Sequence, residues 1–220
     1  ASCSDDSYIN ITDPETGALL KQIKNGKAKM NSIAWSPDGT KILSLNVAGT
    51  AAVWDVGSAA KLQVFGDALN PVLSIDWSPE GSRVAYSINE GVKIFETKNW
   101  QEILEVKTPN GSVRDIQFSP DGSKISCCHT DTTLKIWNAQ DGTLLEEFRG
   151  HSLQINQARW NSSGTKIVTA SNDGTAKVWN VEEEEEKIES VVLEGQNEKI
   201  DCLTWSPDGT KIASGSVGGS

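Results

Sequence analysis

The chain has 220 residues, enough for one large domain or two small ones with a substantial core. Its 30 acidic and 20 basic residues leave a net charge of −10, which disfavours nucleic acid and anionic membrane as partners. No apolar run is long enough to cross a bilayer. The cysteines Cys3, Cys127, Cys128 and Cys202 form no Cys-x-x-Cys pattern, which fits reduced thiols of a cytoplasmic or nuclear protein.

In chain order, residues 1–4, 8–12 and 18–22 read as the second, third and fourth strands of a unit, with Thr12 where later units carry an aromatic. Next, Trp35 ends a strand and Ser36-Pro37-Asp38-Gly39 makes a tight turn. Lys41-Ile42-Leu43-Ser44 returns, and Val53-Trp54-Asp55 ends a third strand. Pro presets φ for the turn, Asp bonds locally to backbone, and Gly takes the positive φ that closes it. The turn recurs as Ser78-Pro79-Glu80-Gly81, Ser119-Pro120-Asp121-Gly122, Asn161-Ser162-Ser163-Gly164 and Ser206-Pro207-Asp208-Gly209, with starts 42, 41, 42 and 45 residues apart. An aromatic precedes each copy: Trp77, Phe118, Trp160 and Trp205. Third strands end in Ile94-Phe95-Glu96, Ile136-Trp137-Asn138 and Val178-Trp179-Asn180, and fourth strands follow near 144–148 and 188–192. The last elements, 199–205 and 211–214, read as the first two strands of a unit, with Ala213-Ser214-Gly215-Ser216 repeating the place of the first four residues. Each unit is thus a four-stranded antiparallel meander, and such sheets bury both faces only when stacked. No segment keeps a 3.6-residue apolar period long enough to argue for a helix.

On these residues the chain resembles the WD40-repeat family. The family's signature is kept best in Gly150-His151, Trp160, the turn at 161–164, Ser171-Asn172-Asp173-Gly174-Thr175 and Val178-Trp179-Asn180. The resemblance implies an all-β propeller of four-stranded antiparallel blades, one domain over 1–216 with a linker-like tail at 217–220. It also implies a buried hydrogen-bonded network of His151, Ser171, Asp173 and Trp179. The His position is empty in the other units, although Asp131 and Trp137 remain in the third complete one. Four complete units and two partial ones make five blades, the last stitched from both termini, a smaller ring than is usual in the family. A piece of a larger propeller, self-associating through open edges, is the alternative.

The expected function is a non-catalytic scaffold for protein or peptide partners; an engineered or trimmed propeller without a physiological ligand is the second reading. His151, Ser171 and Asp173 resemble a catalytic triad on paper, but the family role places them in a buried network. Cys127, Cys128 and His129 are compact, yet strand alternation separates their side chains, so neither metal nor cofactor is expected. The Trp residues read as core, with Trp100, near Asn99 at a loop, the most exposed. The glutamate run 182–186 reads as a solvated loop, with a basic partner as its other use. Asn10-Ile11-Thr12 and Asn161-Ser162-Ser163 match a glycosylation sequon of low specificity. In WD40 proteins, partners dock around the mouth of the central channel, at positions flanking the apolar residue five before each pre-turn aromatic. Here those are Lys29 and Asn31, Pro71 and Leu73, Ser112 and Arg114, Gln154 and Asn156, and Lys199 and Asp201. Three positive charges against one negative suit an acidic or polar peptide anchor.

Overall fold

The computed structural model describes all residues except 4–5, 27–28, 67–70, 109–110, 182–189, 194–197 and 217–220, so the glutamate run and the tail lie outside the described residues. The chain divides into two compact units, Ala1–Ile75 and Asp76–Ser220. Every regular element among the described residues is a strand, and no helix is long and apolar enough to cross a membrane.

The first unit holds β1 (Ser2–Cys3), β2 (Tyr8–Thr12) and β3 (Leu19–Lys24) in one sheet. Beside them β4 (Met30–Trp35), β5 (Lys41–Asn46), β6 (Ala51–Asp55) and β7 (Lys61–Phe65) form a four-stranded meander. Alternation along β2 turns Ile9 and Ile11 inward, where they meet Ile23, Met30, Ile42 and Trp54. β1 pairs with β2 in the register Ser2↔Asn10 and Cys3↔Ile9, so the second-strand place beside β2 is held by β1. A neighbour a few residues away in sequence closes the smallest loop and loses the least chain entropy.

The second unit begins with β8 (Ile75–Trp77), β9 (Arg83–Ile88), β10 (Gly91–Glu96) and β11 (Gln101–Lys107). Next come β12 (Val113–Phe118), β13 (Lys124–His129), β14 (Leu134–Asn138) and β15 (Leu144–Phe148). A third meander is β16 (Ile155–Trp160), β17 (Lys166–Ser171), β18 (Ala176–Asn180) and β19 (Val191–Leu193). A two-stranded sheet of β20 (Ile200–Trp205) and β21 (Ile212–Ser216) follows. Within the second unit the core lies between successive sheets, and three pre-turn aromatics pack on the sheet before their own. Phe118 meets Ala85 and Ile94, Trp160 meets Leu134 and Ile136, and Trp205 packs against the cluster of Val168, Ala176 and Leu203. Strands β9, β13 and β17 are buried on both faces, which explains why their buried positions carry apolar or small side chains.

The repeated turn is held by one hydroxyl. Ser36, Ser78, Ser119 and Ser206 Oγ each accept the N–H five residues on at 2.9 Å, and Asn161 Oδ1 takes the same role for Lys166 at 3.0 Å. Asn161 is buried and its Nδ2 donates to Ser163 Oγ, so the second sequon match is a turn brace. Among the tryptophans, Trp54, Trp77, Trp160 and Trp179 are core. Trp100 is partly buried and Trp35 is 41% exposed, which corrects the expectation that Trp100 is the open one. Trp100 adopts φ 56°, in the left-handed region, in the turn just before Gln101.

Candidate partner-binding rim and its buried support

In the sheet β16–β19 one chain of hydrogen bonds crosses the interior. Trp179 Nε1 donates to Thr169 Oγ1 at 2.8 Å, and Thr169 Oγ1 lies 2.8 Å from His151 Nε2. His151 Nδ1 is 2.9 Å from Asp173 Oδ2. A neutral imidazole with its proton on Nδ1 satisfies every step: it donates to Asp173 and accepts from Thr169. Burial holds the His151 pKa below its usual value, against the pull of Asp173. Burial also pushes the Asp173 carboxyl up. Bonds from the Thr175 hydroxyl, the Ser152 N–H and His151 outweigh it and hold that carboxyl well below its usual range.

The linking hydroxyl is therefore Thr169, where the sequence pointed to Ser171. Both side chains are fully buried, two residues apart on one strand. Ser171 Oγ instead donates to the carbonyls of Leu153 and Gln154 at 3.1 and 3.0 Å and accepts the Asp173 N–H at 3.1 Å. With Asp173 also accepting from Ser152 N at 2.9 Å, the network pins residues 152–154 to the sheet. The Ser171 hydroxyl makes no nucleophile–base pair with His151; the hydroxyls that touch the imidazole are Thr169 Oγ1, buried with it, and Thr175 Oγ1, 3.1 Å from Nδ1 and itself donating to Asp173 Oδ1.

Other sheets carry reduced versions. In β4–β7, Trp54 Nε1 donates to Ser44 Oγ at 2.9 Å. In β8–β11, Tyr86 and Phe95 stack with ring centroids 5.7 Å apart. In β12–β15, Cys127 stands where Thr169 does, and Trp137 Nε1 is buried without a hydrogen-bond partner. Cys127 and Cys128 belong to two different core clusters, on opposite faces of β13, and burial raises both thiols. No group of His, Cys, Asp or Glu among the described residues is arranged to hold a metal.

The rim positions share a backbone device that the sequence did not reveal. The first-strand registers slip between Met30 and Ser32, Val113 and Asp115, Ile155 and Gln157, and Ile200 and Cys202. The extra residue in each is the second of a rim pair: Asn31, Arg114, Asn156 and Asp201. A bulge re-aims its side chain away from the ladder. Asn31, Arg114 and Asp201 are exposed, and so are Lys29 and Lys199. Ser112 and Gln154 are partly buried, and the Ser112 N–H donates to Thr130 Oγ1 at 3.1 Å. Asn156 is a strut as well as a rim residue, donating to Asn172 Oδ1 at 2.8 Å and to Ile200 O at 2.9 Å.

In the first unit Leu73 is exposed and Pro71 is packed against Gly49, whose φ of +77° brings the Val72 N–H to its carbonyl at 2.7 Å. A Cβ on Gly49 would lie 2.2 Å from that of Pro71, so glycine is required there. Sequence reasoning missed two exposed apolar residues beside the rim pairs. One is Leu153, at 52% exposure next to Gln154; the other is Val47, at 63%, whose N–H donates to Lys29 O. Both follow from an apolar residue placed outside the strand alternation of its neighbours.

The sheets, turns and networks have the form of WD40 blades, and comparison with known proteins agrees. The profile of the anaphase-promoting complex subunit 4 WD40 domain matches residues 75–163, and that of the WD domain, G-beta repeat, matches 17–55 and 188–220. The chain belongs to the WD40-repeat family.

Among curated relatives, polyadenylation factor subunit 2 of Candida albicans is 26% identical over 61% of this chain and 25% of its own length. SIR4-interacting protein SIF2 of Saccharomyces cerevisiae is 24% identical over 66% of this chain and 30% of its own. WD repeat-containing protein SL1-17 of Schistosoma mansoni is 32% identical over 66% of this chain and 48% of its own. The chain therefore spans between a quarter and a half of these relatives.

Proposed function

We propose that this chain is a non-catalytic protein-interaction scaffold that presents its bulged rim residues to peptide segments of other proteins. The observation that carries this reading is the recurrence of one bulge in four first strands, each time at a rim residue. Bulges interrupt a ladder and gather where a side chain must be re-aimed. Arg114 and Lys199, both exposed, supply positive charge on an otherwise acidic chain, and exposed Leu153 supplies an apolar contact. A peptide with an acidic or polar anchor beside an apolar residue fits that chemistry. Among the relatives, one is named for an interaction and one as a subunit of a factor, which accords with scaffolding.

The test is selection of displayed peptides on the full chain, followed by affinities for the wild type and for Arg114→Glu with Lys199→Glu. An enriched acidic–apolar consensus, bound about tenfold more weakly by the double variant at unchanged thermal stability, supports the reading. Peptides that bind both proteins equally, or no enrichment at all, remove the rim as the partner surface.

A further inference from the structure

The turn between the second and third strands lies against the rim and repeats in three sheets. Its second residue gives its N–H to the carbonyl of a rim residue: Val47 to Lys29 at 3.0 Å, Thr130 to Ser112 at 3.1 Å and Asn172 to Gln154 at 3.1 Å. The turn closes where the N–H of Asn46, His129 or Ser171 meets the carbonyl of Thr50, Thr133 or Thr175. The residue before each closing threonine is left-handed: Gly49 at φ 77°, Gly174 at 80° and, in the sheet β12–β15, Thr132 at 74°. In that region a Cβ crowds the neighbouring carbonyl, and branching at Cβ adds to it. Threonine there weakens folding roughly tenfold, before the entropy that glycine loses is set against it. The Thr132 hydroxyl makes no hydrogen bond among the described residues, so it does not offset that strain.

The side chains beside Thr132 are donors. Thr130 is exposed, and its Oγ1 accepts the Ser112 N–H at 3.1 Å, which leaves the hydroxyl proton for another acceptor. Arg114, the bulged residue two places on from Ser112, is exposed and has no ion-pair partner among the described residues. The nearby carboxylates are occupied. Asp131 Oδ1 accepts from the N–H and hydroxyl of Thr133, and its Oδ2 lies 3.6 Å from Lys135 Nζ. Asp115 is held by Arg159 at 2.7 Å. At the matching corners Gly49 and Gly174 offer no side chain, Val47 is apolar, and Asn172 Oδ1 is taken by Asn156, so neither repeats this donor set.

We propose that Thr132 is a specificity-determining residue of the rim, donating together with Thr130 to a partner carboxylate that Arg114 attracts. The assignment rests on the rim being the partner surface and places the acidic anchor of the peptide at one corner of it. A carboxylate accepts several hydrogen bonds at once, and bonds to an ionised acceptor are stronger than those between neutral groups. The strain at Thr132 is then what the folded chain gives up to hold a hydroxyl donor where the sheet β16–β19 has glycine.

The test compares the full wild-type chain with Thr132→Gly and Thr132→Ser, using the acidic–apolar peptides selected on the wild type. Thr132→Gly relieves the left-handed strain, so it is expected to melt at or above the wild-type temperature while binding about tenfold more weakly. Thr132→Ser keeps the hydroxyl and is expected to stay within about twofold of the wild type. Replacing the peptide's acidic residue by alanine is expected to weaken binding to the wild type about tenfold and to Thr132→Gly much less, as a direct contact requires. Binding that is lost in Arg114→Glu with Lys199→Glu but unchanged in Thr132→Gly overturns the assignment and leaves the rim standing. Equal losses in Thr132→Gly and Thr132→Ser also overturn it, since they trace the effect to bulk rather than to the hydroxyl. So does a glycine variant that melts well below the wild type, because the strain is then absent. A selection that enriches no peptide removes the rim and this corner together.

Discussion

Thr169 Oγ1 sits between two buried nitrogens, Trp179 Nε1 and His151 Nε2, each at 2.8 Å. Replacing it with the near-isosteric valine removes an acceptor from one and a donor from the other, with no room for water to substitute. Each buried polar group left unpaired costs about 1–3 kcal/mol, so Thr169→Val is expected to lose on the order of 3 kcal/mol in urea unfolding. Ser171→Ala is expected to lose about 1 kcal/mol, because the carbonyls of Leu153 and Gln154 lose one of several anchors. Equal losses would mean that the two hydroxyls share the network. The sequence pointed to His151, Ser171, Asp173 and Trp179 but not to Thr169, the hydroxyl that links the imidazole to the indole. A strand places residues 169 and 171 on the same face, and which hydroxyl meets the imidazole depends on how the 151–154 segment folds over the sheet. Trp35 and Trp100 show the same limit, since exposure depends on what lies across from a side chain rather than on its own position.

At the scale of one sheet, the four meanders differ in how the third-strand aromatic is satisfied. Ser44 and Thr169 each accept from an indole; Ser44 donates onward to Ala52 O at 3.3 Å, whereas the single Thr169 proton goes to His151 Nε2 at 2.8 Å. Cys127 occupies the equivalent place opposite Lys135, and its thiol leaves Trp137 Nε1 unpaired. Cys127→Ser keeps the volume and supplies the missing acceptor, while its own proton has the Lys135 carbonyl in the place that Ala52 O takes opposite Ser44. A gain of about 1 kcal/mol in unfolding free energy is expected, with slower exchange of the Trp137 indole proton. A loss of stability with unchanged indole exchange would mean that the serine finds no partner. Strand number, strand order and turn position were legible because each rests on local chemistry: a Pro-Asp-Gly turn or an alternating run. The bulges at Asn31, Arg114, Asn156 and Asp201 were not. A bulge is a property of two strands in register, and nothing in the residue types at those positions distinguishes it.

Over the whole molecule the carboxylates divide unevenly. Among the described residues nine carboxyls are held below their usual values, at Asp13, Asp38, Asp55, Glu80, Asp121, Asp131, Asp141, Asp173 and Asp208, while Asp76 is raised. Most of the nine brace turns; Asp38 and Asp121, bonded first by Ser36 and Ser119, are lowered to about 2. A carboxyl lowered in the folded state stabilises above its ordinary value and stops doing so as pH falls through the folded one. His129 and His151, both lowered chiefly by burial, act in the same direction at higher pH, because the unfolded chain takes up protons below 6.5 that the folded chain resists. Asp76 acts oppositely over much of that range, gaining as pH falls through about 6. The expected profile is therefore shallow from pH 7 to 5, where one carboxyl offsets two imidazoles, and steep below pH 4, where the turn braces protonate together. Urea midpoints measured at unit steps from pH 7 to pH 2 check this. In Asp76→Asn the upper part should slope downward toward acid, since the imidazoles then act alone, while the fall below pH 4 should stay as in the wild type. A wild-type midpoint that holds level down to pH 2 would mean that the braced turns contribute little to the folded state.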